Sequence, residues 1–366
     1  MNFYTLFTRA ENVHLLKDVG MVPETLAAEF SDVNSYLVTY KNGEYPYIGK
    51  DIKNMKMIFL KKRLGKYIDG ILFIMNSAKD IDVLNIYHLN LSSFIYCIAA
   101  KIFLKKEAKV YLKLDLGPAE IEKIRKKDIR SWIKKKTIEM ADIVTGETSI
   151  LVNQLNEEVN SKIKLIPNGY YNPFARMSDF TKKKNRIITV GRLGAEPKNT
   201  ELLVDAFVER ATEHDWELRL IGPYTDKLYE KVNEIMKRVP QLSGRIKLTG
   251  EITDKEMLSK EYEEAKVFAF PSKWESFGLV LTEALMAGDY LIVSDAVPAA
   301  YDLIDSDEIG KIIKSEDTYK WTEAIGAIVN MDFDYKKMCK DGYNKANAQF
   351  NWVAIAKNLR ETLIML

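Results

Sequence analysis

The chain has 366 residues, 47% hydrophobic and 29% charged, with 54 Lys and Arg against 52 Asp and Glu for a net charge of +2. This balance argues against a disordered or membrane-spanning chain, and the length exceeds what one core covers, so two domains of about 150–200 residues are expected. Cys97 and Cys339 are too few for a disulfide framework, and His14, His88 and His214 form no H-x-x-H pattern, so a zinc site has no support.

The first residues, MNFYTLFTRAENVHLLKD, carry acids early and lack an apolar core of secretory-signal type. Short β-rich runs then alternate with helical segments: Phe3 to Thr8, Val33 to Tyr40, Ile71 to Met75, Val83 to His88, Lys109 to Asp115, Ile143 to Gly146 and Ile163 to Pro167. The alternation predicts a parallel sheet with crossover helices. The longest apolar run, Leu91 to Leu104, is broken by Lys101 and falls short of the roughly 20 residues that cross a bilayer, so a cytoplasmic protein is expected.

Residues 101 to 136 hold 13 basic residues against 5 acidic ones, with Ile121, Ile124, Ile129, Trp132 and Ile133 interleaved. Such a segment, including Lys134, Lys135 and Lys136, can lie on an anionic membrane surface or form a solvated helix face. No nucleic-acid motif accompanies the charge, and no nucleic-acid partner is expected. Residues Asn168 to Asn185 are polar, Pro-containing and aperiodic, and read as a linker between two domains, 1–170 and 186–349, with a terminal helix at 350–366.

The second half repeats the pattern, with strands expected at Arg186 to Gly191, Trp216 to Gly222, Arg245 to Gly250, Val267 to Pro271 and Leu291 to Ser294. Several end in Gly, Pro or Ser, which lets a ligand approach the carboxyl edge of a parallel sheet. Neither G-x-G-x-x-G nor G-x-x-x-x-G-K-[ST] occurs, so nicotinamide chemistry and P-loop hydrolysis lose their usual support. In TVGRLGAEPKNTELLVDAF, Arg192 and Lys198 leave the end of one strand at close spacing. A planar fork of donors and a point charge suit a diphosphate, although a pair of surface cations is the alternative.

The opposing wall is PSKWESFGLVLTEALMAG, where Ser276, Phe277, Gly278 and Leu279 fall at or beside a helix start. Open backbone amides and the positive dipole end favour an anion there. Glu275 before the helix and Glu283 within it can accept hydroxyl protons from sugars. A carboxylate in so apolar a run needs a partner to offset its desolvation.

These two motifs together resemble the donor site of family 4 of the glycosyltransferases, retaining enzymes of the α/β GT-B fold, in which two Rossmann-like doubly wound domains face a central cleft. The resemblance covers Arg186 to about Asp302. It implies that Arg192 and Lys198 hold the donor diphosphate, Glu275 contacts the donor sugar, Glu283 contacts the ribose, and the backbone at Ser276 to Leu279 holds the distal phosphate. Gly222 in LRLIGPY and the turn Gly250-Glu251-Ile252 match positions lining the nucleotide pocket. In the first half, Gly20 stands for the family's Gly-rich turn and His88 for a strand-end histidine that joins the catalytic set; otherwise His88 is a core or loop histidine. Lys113 and Asp115 occupy positions where relatives carry a His near the acceptor.

The resemblance also implies a nucleotide-sugar donor, UDP-linked by expectation, used as a substrate with no cofactor, and a glycan or lipid-linked saccharide acceptor in cell-surface polysaccharide synthesis. Peripheral attachment to the inner face of the plasma membrane would fit that acceptor. The D-x-D pairs Asp80–Asp82, Asp305–Asp307 and Asp332–Asp334 are scattered, and no metal is expected. A sugar-nucleotide epimerase, a phosphorylase and a non-catalytic carbohydrate-binding subunit are the rival readings.

Overall fold

The computed structural model describes residues 1–159, 163–171, 179–330 and 335–365. The chain divides into two compact units, Met1–Tyr171 with Phe350–Leu366, and Asn172–Gln349. In the first unit the strands are β1 (Asn2–Leu6), β2 (Asn34–Thr39), β3 (Lys56–Phe59), β4 (Val83–Tyr87), β5 (Lys109–Leu114), β6 (Ile143–Gly146) and β7 (Lys164–Leu165). Interspersed are α1 (Asp18–Glu29), α2 (Lys66–Asn76), α3 (Leu91–Phe103), α4 (Pro118–Arg125), α5 (Ile129–Met140) and α6 (Ser149–Glu158).

All seven strands pair in parallel in the order β3-β2-β1-β4-β5-β6-β7. Alternation along the strands fills both faces, because successive side chains point to opposite sides of the sheet. Tyr4, Leu6, Leu84, Ile86 and Leu112 join one cluster. Phe3, Val83, Tyr111 and Ile143 join the other, which is closed by Trp352, Ile355 and Leu359 of the terminal helix.

The second unit carries β8 (Arg186–Val190), α7 (Thr200–Arg210), β9 (Glu217–Ile221), α8 (Asp226–Arg238), β10 (Ile246–Gly250), α9 (Lys255–Glu264), β11 (Val267–Phe270) and α10 (Leu279–Met286). It continues through β12 (Tyr290–Ser294), α11 (Ala300–Leu303), β13 (Gly310–Ile313), α12 (Thr318–Asn330) and α13 (Tyr335–Gln349), before α14 (Trp352–Ile364) returns to the first unit. Its six strands are parallel in the order β10-β9-β8-β11-β12-β13. Strand order therefore reverses between β1 and β4 in one unit and between β8 and β11 in the other. Ligands of open parallel sheets bind outside the carboxyl ends at such points.

The expected strand Ile71 to Met75 is instead part of helix α2. A short apolar run fits a buried strand or a helix equally well. Here Asp69, Gly70, Phe73 and Ile74 share the buried face, and Gly70 lets α2 approach Tyr96 of α3 so closely that a Cβ would lie 2.3 Å from the ring. The two strands absent from the sequence reading, β3 and β13, lie at sheet edges and are partly exposed. One exposed face removes the apolar signal that marks a central strand.

The expected linker is not uniform. Tyr170 bridges to Asn351 within the first unit, residues 172–178 lie outside the described residues, and Lys183 is buried in the second unit, with its Nζ 2.6 Å from Asp289 Oδ1.

Candidate active site

In the second unit the carboxyl ends of β8, β9 and β10 are joined by backbone hydrogen bonds. Gly191 donates to Ile221 O at 3.0 Å, Leu193 to Pro223 O at 2.8 Å, and Gly222 to Gly250 O at 2.8 Å. Gly222 has φ +127°, and a Cβ there would lie 2.0 Å from the Gly191 carbonyl oxygen. Only glycine serves where two strand ends come so close. Glu251 is exposed and Ile252 half-buried just beyond Gly250 at the sheet edge.

Lys198 ends the short 3-10 turn Glu196–Lys198 that follows β8. The loop after β11 is tied to that turn: Ser272 Oγ donates to Pro197 O at 2.9 Å and Lys273 N donates to the same oxygen at 2.8 Å. This brings together two residues 77 positions apart, for the Lys198 ammonium donates to Glu275 Oε2. Both side chains are only 19% exposed, and Lys198 Nζ lies 4.8 Å from the centre of the Phe270 ring. The carboxylate that looked out of place in an apolar run thus has its cation. Arg192 is exposed at the same strand end and forms no ion pair among the described residues.

Gly278 precedes α10 with φ +82°, a left-handed conformation, and no side chain caps the helix. The first amides of α10 therefore have no side-chain acceptor, as an anion site needs. Ser276 and Leu279 are half-buried beside Gly278, whereas Phe277 is buried and anchors the loop in the core. Glu283, inside α10, accepts a hydrogen bond from the Tyr262 hydroxyl at 2.9 Å. Burial holds its carboxyl above the usual carboxylate range, against the opposing pull of the Tyr262 hydrogen bond. Tyr262, on α9, escaped the sequence reading, since nothing local marks a tyrosine 21 residues from its partner.

In the first unit His88 follows β4 in a left-handed conformation, φ +65°, which is costly for a residue other than glycine. Its amide donates to Lys113 O at 3.1 Å and its carbonyl accepts from Ser93 Oγ at 2.7 Å. The ring lies near Phe7 and Tyr87, with centroids 5.8 and 6.1 Å away. Burial lowers its pKa, while Asp115 and Asp18 oppose the shift.

Gly20, expected in a phosphate-approaching turn, is instead the third residue of α1 and fully packed. A Cβ there would lie 2.2 Å from the Leu15 carbonyl oxygen, so the glycine serves the packing of the preceding 3-10 turn. Lys113 is buried with Asp18 Oδ2 3.8 Å away, whereas Asp115 is exposed. Burial raises the carboxyl pKa of Asp18, and Lys113 counters it.

Among the described residues no group of three or more His, Cys, Asp or Glu side chains has metal-site geometry. Asp82 is engaged by Lys105 and Asp305 by Lys345, while Asp332 and Asp334 lie outside the described residues.

Two parallel-sheet units of this topology have the fold of the GT-B glycosyltransferases. The structure of Anabaena Alr3699/HepE in complex with UDP superimposes over the whole of both chains with a TM-score of 0.76 at 14% identity. Sucrose-phosphate synthase from Thermosynechococcus elongatus gives 0.73 at 19% identity, over 100% of this chain and 98% of that one.

Residues 174–346 match the family "Glycosyl transferases group 1". Similar curated proteins include the mannosylfructose-phosphate synthase of Agrobacterium fabrum, 27% identical over 60% of this chain and 52% of that protein. The lipopolysaccharide core mannosyltransferase LpsB of Rhizobium meliloti is 30% identical over 36% of this chain and 38% of its own length. The chain spans about half or less of the length of these relatives.

Proposed function

We propose that the chain is a retaining, metal-independent glycosyltransferase that moves a sugar from a nucleotide-sugar donor, UDP-linked, to a glycan or lipid-linked acceptor in cell-surface polysaccharide synthesis. The observation that carries this reading is the Lys198–Glu275 pair, set beside Arg192 and the uncapped start of α10 at the switch point of the second sheet. Departure of a nucleoside diphosphate from an anomeric carbon builds negative charge on phosphate while the sugar becomes cationic. Cations aimed at that phosphate gain strength as the bond breaks, and this differential accelerates the reaction. A unit pair at 4 Å is worth about 1 kcal/mol in bulk water and about 4 kcal/mol at an effective dielectric of 20, so the partial burial of Lys198 matters.

The acceptor would attack from the leaving-group face and pass its proton to a phosphate oxygen, giving retention with no metal and no cofactor. Glu275 would hold donor-sugar hydroxyls and Glu283 the ribose diol. The choice of UDP follows the ligand in the Anabaena structure. The test is a panel of UDP-, GDP- and TDP-sugars: a UDP-sugar should raise the unfolding temperature by mass action and be hydrolysed slowly without acceptor. No stabilisation by any nucleotide rejects the reading, and binding without turnover favours a non-catalytic subunit.

Association with an anionic membrane surface is part of this reading, through a narrower patch than residues 101 to 136 as a whole. Ile121 and Ile124 belong to the core, and Lys134 and Lys136 are paired with Glu120 and Glu139. Ile129 and Trp132 are 68% and 50% exposed, and the Trp132 ring lies edge-on to Phe94 of α3 with centroids 6.0 Å apart. Among the described residues Lys126, Lys127 and Arg130 form no ion pair, and all three are exposed. No helix among the described residues is long and apolar enough to cross a membrane.

Each cation near an anionic surface contributes about 1 kcal/mol. Replacing all three with Gln is therefore expected to weaken sedimentation with phosphatidylserine vesicles by roughly two powers of ten. Unchanged sedimentation removes the membrane from the proposal.

A further inference from the structure

The switch point of the first sheet, between the carboxyl ends of β1 and β4, holds a cavity of about 230 Å³. Full small-molecule pockets run to about 300–1,000 Å³, so this one suits a fragment of headgroup size. Arg9 and Lys66 stand on its wall with His88, Asn90 and Ser92, and among the described residues no carboxylate lines it.

Neither cation forms an ion pair or a side-chain hydrogen bond among the described residues. Each is instead steadied over an aromatic ring. Arg9 Cζ lies 5.7 Å from the Phe7 centroid and Lys66 Nζ 5.0 Å from the Tyr67 centroid. The start of α3 adds its positive dipole end, with Asn90 accepting from the amides of Ser92 and Ser93.

Two positive charges on one cavity wall without counter-ions match a phosphate ester, which carries about −1.5 to −2 at neutral pH. A carboxylate would leave one cation unbalanced. The guanidinium fork can take two phosphate oxygens and the ammonium a third. We infer that this cavity binds the phosphate group of a phosphorylated saccharide acceptor, with Arg9 and Lys66 as the residues that select it. The word acceptor rests on the glycosyltransferase reading above; the binding of a phosphate ester does not.

The test uses the full chain with Lys198→Ala, which weakens the donor-side phosphate site, and titrates it calorimetrically with inorganic phosphate, glucose 6-phosphate and glucose. Glucose 6-phosphate is expected to bind at least tenfold more tightly than glucose, and Arg9→Gln with Lys66→Gln should abolish that preference. Both side chains are exposed, so the fold should tolerate the changes, and circular dichroism checks it. Equal binding of glucose and its phosphate, or a preference that survives the double substitution, overturns the inference.

The same double variant in the otherwise native chain should keep its affinity for UDP. Loss of UDP binding by the native chain with the phosphate preference intact would sink the donor reading alone. Repeating the titration with polyprenyl diphosphate–sugar micelles separates the sources: the ligand whose binding falls most in the double variant is the physiological type.

Discussion

Lys198→Ala is expected to lower kcat/KM by about two to three powers of ten, the loss typical of removing one positioned donor from a developing anion. UDP affinity should fall as well, because in the proposed site the ammonium would meet the diphosphate in the ground state. Glu275→Gln should behave differently. Its carboxylate is bonded to Lys198 before any donor arrives, so neutralising it frees the ammonium for phosphate. Turnover should drop about a hundredfold or more, since the donor sugar loses its acceptor of hydroxyl protons, while UDP affinity holds or tightens. Steady-state kinetics with UDP titrations would separate the two. Wild-type turnover in both variants, or equal loss of UDP affinity in both, rejects the roles assigned to this pair.

Lys183→Met should destabilise the second unit by about 3 kcal/mol or more at pH 8, the cost of leaving a buried charge without its partner. Lys183 and Asp289 are both fully buried at 2.6 Å. Burial pushes the Asp289 carboxyl up to about 7, with Lys183 pulling it down. An unfolded aspartate releases its proton near pH 4. Between that value and about 7 the folded chain holds the additional proton, so this group's contribution to stability falls as pH rises.

Without the lysine the carboxyl keeps its proton to higher pH. The penalty of the substitution should therefore be small at pH 5 and large at pH 8. Urea unfolding at the two pH values tests this; an equal penalty at both, or none at either, would show that the pair is not electrostatically coupled.

The motifs around Lys198 and Glu275 were legible because they are local. A strand ending in Gly191-Arg192 and an E-x7-E spaced around a helix start need only a few turns of chain to be read. Their partners were not. Tyr262 reaches Glu283 from another helix, and Lys183 meets Asp289 across 106 positions. Lys183 even fell inside a stretch read as linker, because a single buried cation leaves no periodic trace. Gly20 shows the converse. A glycine after the first strand can serve a ligand or a tight packing contact, and the Leu15 carbonyl by itself accounts for a glycine here. Ile71 to Met75 was misread because five apolar residues carry too little periodicity to separate helix from strand.

By itself the amino-acid order determined the alternation of strands and helices, the parallel character of both sheets and the chemistry available at each strand end. Those properties follow from hydrophobic period and residue type, which act over one or two turns of chain. The tertiary structure alone decided that β8 and β11 lie side by side, that Lys198 therefore neutralises Glu275, and that Arg9 and Lys66 share one cavity wall. Strand order depends on how crossover helices pack around a sheet, a balance of contacts between segments far apart in the chain.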